Sequence, residues 1–337
     1  MPTTYDSLVG LTAPAFAEGS WFNSVPLSLQ DLSSSGQPVV IHFWTASCPV
    51  SRKVLPQIAR LWQTYQHQGL VVIGIHCPEF NFERDPAVLA ATLAELAISW
   101  PIIHDPTHQS VQRYTNHYWP RQLVVDPAGT IIIDQIGEGD LPALEESIQL
   151  QLLRHGAQEL PPITPPSHQH KLGLTCYPAS SETHLGHQRG TFKNRSRATN
   201  VPTNYVDPLL PRHPGAALHG RWTVTEDSVS HNSADSAPTN GYISVVFSGF
   251  EATLIAETSD ARPLELVVTL NGRPVPLGFQ GKDVKEQAGQ TITRISAPGP
   301  YQLIHTRTYL SPAELRCSDQ SGRLIAYAFH FSGCQED

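Results

Sequence analysis

The run Val39-Val40-Ile41-His42-Phe43-Trp44 reads as a buried strand, and Thr45-Ala46-Ser47 leads from it to Cys48-Pro49, where a helix begins. A thiol at a helix N-terminus faces backbone N–H groups with no intrahelical partner and the positive end of the helix dipole. Both favour thiolate, the nucleophilic form of sulfur, so Cys48 is the expected reactive atom. The tetrad closes on Ser51 and not on a second cysteine. The Ser51 hydroxyl can hydrogen-bond the Cys48 thiolate and is expected to help hold its pKa down. It cannot release a mixed disulfide, which excludes dithiol–disulfide cycling within this tetrad.

The elements that position this sulfur follow from periodicity. Residues 1 to about 155 alternate strands with helices, the pattern of a mixed α/β layer. Leu27 to Leu29 reads as a short leading strand. The helix after Cys48 carries Val54, Leu55, Ile58, Leu61 and Trp62 on one face and ends at Gly69. Leu70 to Ile75 is a second buried strand, and Asp85-Pro86 opens a further helix. After Ile102 and Ile103 come a short helix (Ser110 to Tyr114), a hairpin about Pro127-Ala128-Gly129 and a last helix from Leu141 to Leu153. The domain is expected over residues 1–157, with a proline-rich linker over 158–174 that includes His168 and His170. Beyond it, over 175–337, many short strands separated by turn signals such as Asn271-Gly272 argue for an all-β antiparallel sandwich. Pro178 to Pro238, polar and proline-rich, is expected to wrap around that sandwich.

Composition bounds the function. The chain has 337 residues, 40% of them hydrophobic, and a formal net charge of −8. Such a balance offers no basic surface for nucleic acid, and the short Lys193 to Arg197 cluster reads as a solvated loop. Met1 to Gly10 has neither a basic nor an apolar signal region, and no apolar run reaches spanning length, so a soluble, cytoplasmic chain is expected. The five cysteines, Cys48, Cys77, Cys176, Cys317 and Cys334, are scattered and odd in number. They suit reduced, individually placed thiols.

The first domain resembles the thioredoxin superfamily, in its TlpA/DipZ-like branch. The likeness is carried by Phe43-Trp44-Thr45-x-Ser47-Cys48, Leu55-Pro56, Gly74-Ile75-His76-Cys77-Pro78-Glu79-Phe80-x-Phe82-Glu83, Tyr118-Trp119-Pro120 and Gly137-Glu138-Gly139-Asp140. The second domain resembles the β-rich, jelly-roll or carbohydrate-binding-module-like unit that follows thioredoxin in DipZ-type proteins, through Glu182-Thr183-x-Leu185-Gly186, Leu218-x-Gly220-x-Trp222, Gly281-x-Asp283-Val284 and Ala326-Tyr327-x-Phe329. The resemblance implies a thioredoxin-like α/β fold and thiol–disulfide exchange with no dissociable cofactor and no metal. It makes Cys48 the attacking thiol and Ser51 the occupant of the resolving position. Cys77, ending the neighbouring strand, is either a compensating thiol or a buried core cysteine, and the alternative to Cys77 is an external thiol that resolves Cys48. Glu79 is expected near the sulfur, tuning its protonation. Trp119-Pro120 matches the cis-proline element, and with Trp44 and Pro49 it is expected to meet the substrate, a protein or small disulfide or thiol.

Two other readings stand beside this one. Thr45-x-x-Cys48-Pro49 resembles the end of the peroxiredoxin signature, and Arg121 near Asp126 echoes its arginine, which would make a thiol peroxidase. A non-catalytic scaffold would instead use the sandwich to hold a glycan or protein, with Trp222 the best candidate to line a groove. Cys176 with His184 and His187 fits no common zinc spacing.

Overall fold

The computed structural model describes residues 7–163, 176–194, 198–209, 215–232 and 241–334. The expected linker from residue 164 to 174, with His168 and His170, and most of the basic stretch up to Arg197 lie outside the described residues. The chain divides into two compact units, 1–168 and 169–337.

In the first unit, among the described residues, a six-stranded sheet runs in the order β1-β4-β3-β2-β5-β6. Its strands are β1 (Ser20–Phe22), β2 (Val39–Trp44), β3 (Val71–His76), β4 (Ile102–His104), β5 (Arg121–Val125) and β6 (Ile131–Ile136). Five helices accompany it: α1 (Leu29–Ser34), α2 (Pro49–Tyr65), α3 (Pro86–Glu95), α4 (Gln109–Arg113) and α5 (Leu141–Arg154). β2 and β3 are buried throughout, which is why both read as near-continuous apolar runs. Alternation along β2 divides the core. Val40 and Trp44 pack with Val54, Ile58, Leu144 and Ile148 of α2 and α5. Ile41 and Phe43 face the other way, with Ile73, Ile75, Cys77 and Tyr114.

The leading strand is not Leu27 to Leu29. Ser28 accepts the Asp31 N–H and caps α1, while Ser20–Phe22 pairs with β4. A serine before an apolar pair is an N-cap as readily as a strand edge. Gly74 sits where β3 crosses the Trp44 and Trp100 indoles. A Cβ there would come within 2.4 Å of Ile102 Cδ1 and 3.3 Å of both indole nitrogens. Gly74→Ala should therefore destabilise the chain by about 1–3 kcal/mol through overpacking, read as a lower denaturant midpoint. An unchanged midpoint would show that the core yields at this position.

The second unit is built on an eleven-stranded antiparallel array among the described residues, which fits a β-sandwich. In chain order its strands are β7 (Thr183–His184), β8 (Thr203–Tyr205), β9 (Ala216–Val224), β10 (Val229–His231), β11 (Gly241–Thr258), β12 (Leu264–Leu270), β13 (Arg273–Pro274), β14 (Val284–Gln287), β15 (Gln290–Ile295), β16 (Gly299–Asp319) and β17 (Leu324–Ser332). The segment expected to wrap around the sandwich contains β7 to β10. β11 and β16 each replace two expected strands with one long one. Register shifts between Phe247 and Thr253 bend this ribbon. The first part of β11 then lies beside β9 and the last part beside β17.

Trp222 is wholly buried and stacks on His231 at 4.7 Å, so it belongs to the core and lines no groove. Its position on β9 turns it inward with Leu218 and Val224. The cysteines are not all reduced: Cys176 and Cys334 form a disulfide, while Cys48, Cys77 and Cys317 are free. An isolated antiparallel bridge brings these two residues together across 158 positions. Cys176 is thereby removed from any zinc set with His184 and His187, and the reduced-thiol argument for a cytoplasmic chain loses its support. Among the described residues no helix is long and apolar enough to cross a membrane.

Candidate active site

Three chain segments meet at one edge of the first sheet because of strand direction. β2 and β3 are parallel, so the Thr45–Cys48 turn and the His76–Glu79 segment leave from the same side. β5 runs antiparallel to β2 with Phe43 opposite Arg121, which sets Trp119-Pro120 beside the end of β2. The Trp119–Pro120 peptide is cis.

Cys48 is the N-cap of α2, and Pro49 at the first helical position supplies a preset φ and lacks an N–H that would go unpaired there. Cys48 as a residue is partly exposed. Burial pushes its pKa up to about 11; the Ser51 amide and hydroxyl and the Val50 amide pull it down, and the Glu79 carboxylate adds to the rise. The expectation of a thiolate at neutral pH is thus corrected. The amides act as helix-start physics predicts, but desolvation of the anion outweighs them. Ser51 is fully buried, and its Oγ makes no standard hydrogen bond, although it favours the Cys48 anion.

Glu79 is half-buried, acts on Cys48 by charge, and accepts a hydrogen bond from Trp119 Nε1 at 3.3 Å. Cys48, Ser51, Glu79, Pro49 and Trp119-Pro120 therefore share one neighbourhood. Trp44 does not share its surface. It is fully buried against His76 at 5.0 Å between ring centroids, so it cannot touch a substrate. Pro120 is also buried, and its carbonyl accepts the Gly137 N–H.

Cys77 is fully buried, and its thiol donates to the Ile75 carbonyl at 3.5 Å. It packs with Phe43 and Tyr114, on the face opposite the one covered by α2. Burial, with Asp105 and Glu83 nearby, raises its pKa well above that of an ordinary thiol. Arg121, the arginine of the peroxidase reading, is buried in a bidentate pair with Asp134 at 2.8 Å.

Two supporting residues carry more of the site than sequence reasoning assigned them. Arg52 Nε donates to the Ala46 carbonyl at 2.7 Å and holds the turn from outside. Glu83 is fully buried beneath the turn. It was legible as the second carboxylate after β3, yet nothing local said that it would point inward.

Two family models match the chain. The "AhpC/TSA family" matches residues 9–133 and the "Thioredoxin like C-terminal domain" matches residues 180–332. Protein DipZ of Mycobacterium tuberculosis is 28% identical over 278 residues, covering 79% of this chain and 37% of DipZ. The chain thus spans little more than a third of that relative. Thiol-disulfide oxidoreductase YkuV of Bacillus subtilis is 30% identical over 131 residues, covering 39% of this chain and 86% of YkuV. The chloroplastic protein SUPPRESSOR OF QUENCHING 1 of Arabidopsis thaliana is 29% identical over 156 residues, covering 46% of this chain and 15% of the relative. The chain belongs to the TlpA/DipZ-like branch of the thioredoxin superfamily.

Proposed function

We propose that the first unit performs thiol–disulfide exchange through Cys48 alone, with an external thiol as the resolving partner. The observation that carries this reading is the placing of Cys48, a partly exposed residue, at the start of α2, with the Val50 and Ser51 amides and the Ser51 hydroxyl favouring its anion. In the step, the Cys48 proton passes to solvent and the thiolate attacks one sulfur of a substrate disulfide. The new bond joins Cys48 to that sulfur; the old S–S bond breaks, and the departing thiolate takes up a proton. No net oxidation occurs, and a second thiol is needed to displace the adduct. Cys77 is a poor candidate for that role, since it would have to cross the sheet from a fully buried position. Trp119, beside Pro120 and tied to Glu79, is read as the edge on which a substrate chain rests.

Glutathione disulfide is a direct probe. Intact mass should show one glutathione on Cys48, none in Cys48→Ser, and removal of the adduct by added thiol. Cys77→Ser should leave the adduct's lifetime unchanged within about twofold. Absence of an adduct on Cys48 would refute the reading, and a longer lifetime in Cys77→Ser would restore Cys77 as the resolving thiol. The raised pKa of Cys48 favours a second reading, in which the unit only binds. No adduct at any pH up to about 10 would support it.

A further inference from the structure

One carboxylate beneath the site makes bonds that the exchange step does not itself require. Glu83 Oε1 accepts from Thr45 Oγ1 at 2.5 Å and from the Ser47 N–H at 2.9 Å. Its Oε2 accepts from Ser47 Oγ at 3.0 Å and from the N–H groups of Glu79 at 2.9 Å and Phe80 at 3.1 Å. Two of these donors belong to the residue before Cys48, and one is the amide of Glu79, whose carboxylate acts on the sulfur by charge. We propose that Glu83 is the positioning residue of the thiol site, a single buried carboxylate that ties the Cys48 turn to the Glu79 segment and so sets how strongly Glu79 acts on the sulfur. The inference rests on Cys48 being the working thiol.

The chemistry calls for a carboxylate at this place. Every one of the five partners donates, and only an ionised carboxylate offers two oxygens that both accept. A glutamine would turn an NH2 group toward N–H or O–H donors on one side. Charge-assisted bonds of this kind are also the stronger ones. Burial pushes the Glu83 carboxyl up, but the His76 imidazole, the Thr45 hydroxyl and the Phe80 amide outweigh it and hold it at about 2. The remaining groups about it are accounted for: His76 Nε2 lies 3.6 Å from Oε1, His104 Nε2 bonds the Glu83 carbonyl at 3.1 Å, and Cys77 and Asp105 lie in the same buried layer.

The test measures coupling between Glu79 and Cys48 in the full chain. Iodoacetamide labelling of Cys48 is followed by peptide mass in four chains: unaltered, Glu79→Gln, Glu83→Gln and the double variant. With Glu83 present, Glu79→Gln should speed labelling at pH 8 by about threefold, because a repelling charge is removed. In the Glu83→Gln background the same change should alter the rate by less than about 1.5-fold. Because Glu83→Gln leaves a mismatched amide in the core, a second pair is needed. Thr45→Val with Ser47→Ala keeps the carboxylate and removes two of its donors, and it should weaken the coupling in the same direction. Equal acceleration in all backgrounds would overturn the positioning role. Normal coupling without a glutathione adduct would instead refute the exchange reading and leave Glu83 in place.

Discussion

Labelling of Cys48 by iodoacetamide should accelerate about tenfold for each pH unit from about 7 to 10, with no plateau before about 11. The sulfur ionises late because its anion must be formed half out of water and near the Glu79 carboxylate, and the two helix-start amides do not make up the difference. Roughly one molecule in 10⁴ carries the thiolate at pH 7 if the value stands at about 11. A thiol raised on folding also stabilises the native chain in its protonated form. That contribution is whole below the ordinary value of 9.0 and is lost as pH rises through about 11, so the first unit should weaken in alkali. The measurement is a rate profile by peptide mass, with Cys77 and Cys317 as buried internal controls. A plateau at or below pH 8 would mean that the amides and the Ser51 hydroxyl dominate, and that the thiolate is present at rest.

Late ionisation shapes the proposed reaction beyond its rate. A thiolate of high pKa is a strong nucleophile once formed and a poor leaving group. When an external thiol attacks a mixed disulfide on Cys48, expelling the lower-pKa partner is easier than expelling Cys48 itself. A single thiol would therefore first exchange the partner, and release of Cys48 in the glutathione test calls for excess thiol or a dithiol that closes on itself.

How far the residues announce these features depends on how local the cause is. β2 and the Pro49 helix start follow from short-range pattern, whereas the family resemblance places Glu79 and Trp119-Pro120 near Cys48. The Cys48 pKa follows from neither, because desolvation is set by side chains distant in sequence. Glu83 looked like one of two similar carboxylates. Its role emerges only when Thr45, Ser47, Glu79 and Phe80 are gathered around it. Trp44 is expected at the substrate on the family resemblance, but β-strand alternation points it into the core. In the second unit, Ala216–Val224 was hidden by a glycine, a histidine and an arginine within a polar, proline-rich stretch. It is a strand because β10, β8 and β11 all pair with it.

Reducing the Cys176–Cys334 disulfide should lower the stability of the second unit by about 5 kcal/mol, the chain-entropy value for a loop of this length. The bond joins positions 158 apart and so closes nearly the whole unit into a ring. The hydrogen bonds around it do not pass through its sulfurs, so the folded contacts are expected to survive reduction. The Tyr177 N–H still bonds the Gly333 carbonyl at 2.8 Å, Tyr309 Oη still donates to the Pro178 carbonyl at 2.6 Å, and Ser180 and Ser248 still bond each other. The loss therefore arises in the unfolded chain, which gains freedom that the ring denied it. For a unit of this size it amounts to roughly 10–20 °C in midpoint. Hydrogen exchange of β11, β16 and β17 peptides, compared between the oxidised chain and the Cys176→Ser, Cys334→Ser double variant, would follow this unit separately from the first. Equal protection in the two would mean either that the bond does not form or that the unfolded ensemble already holds these ends together. Exposed Cys176 also leaves the bond open to attack by thiols in solution, so the loss should appear with a mild reductant and without denaturant.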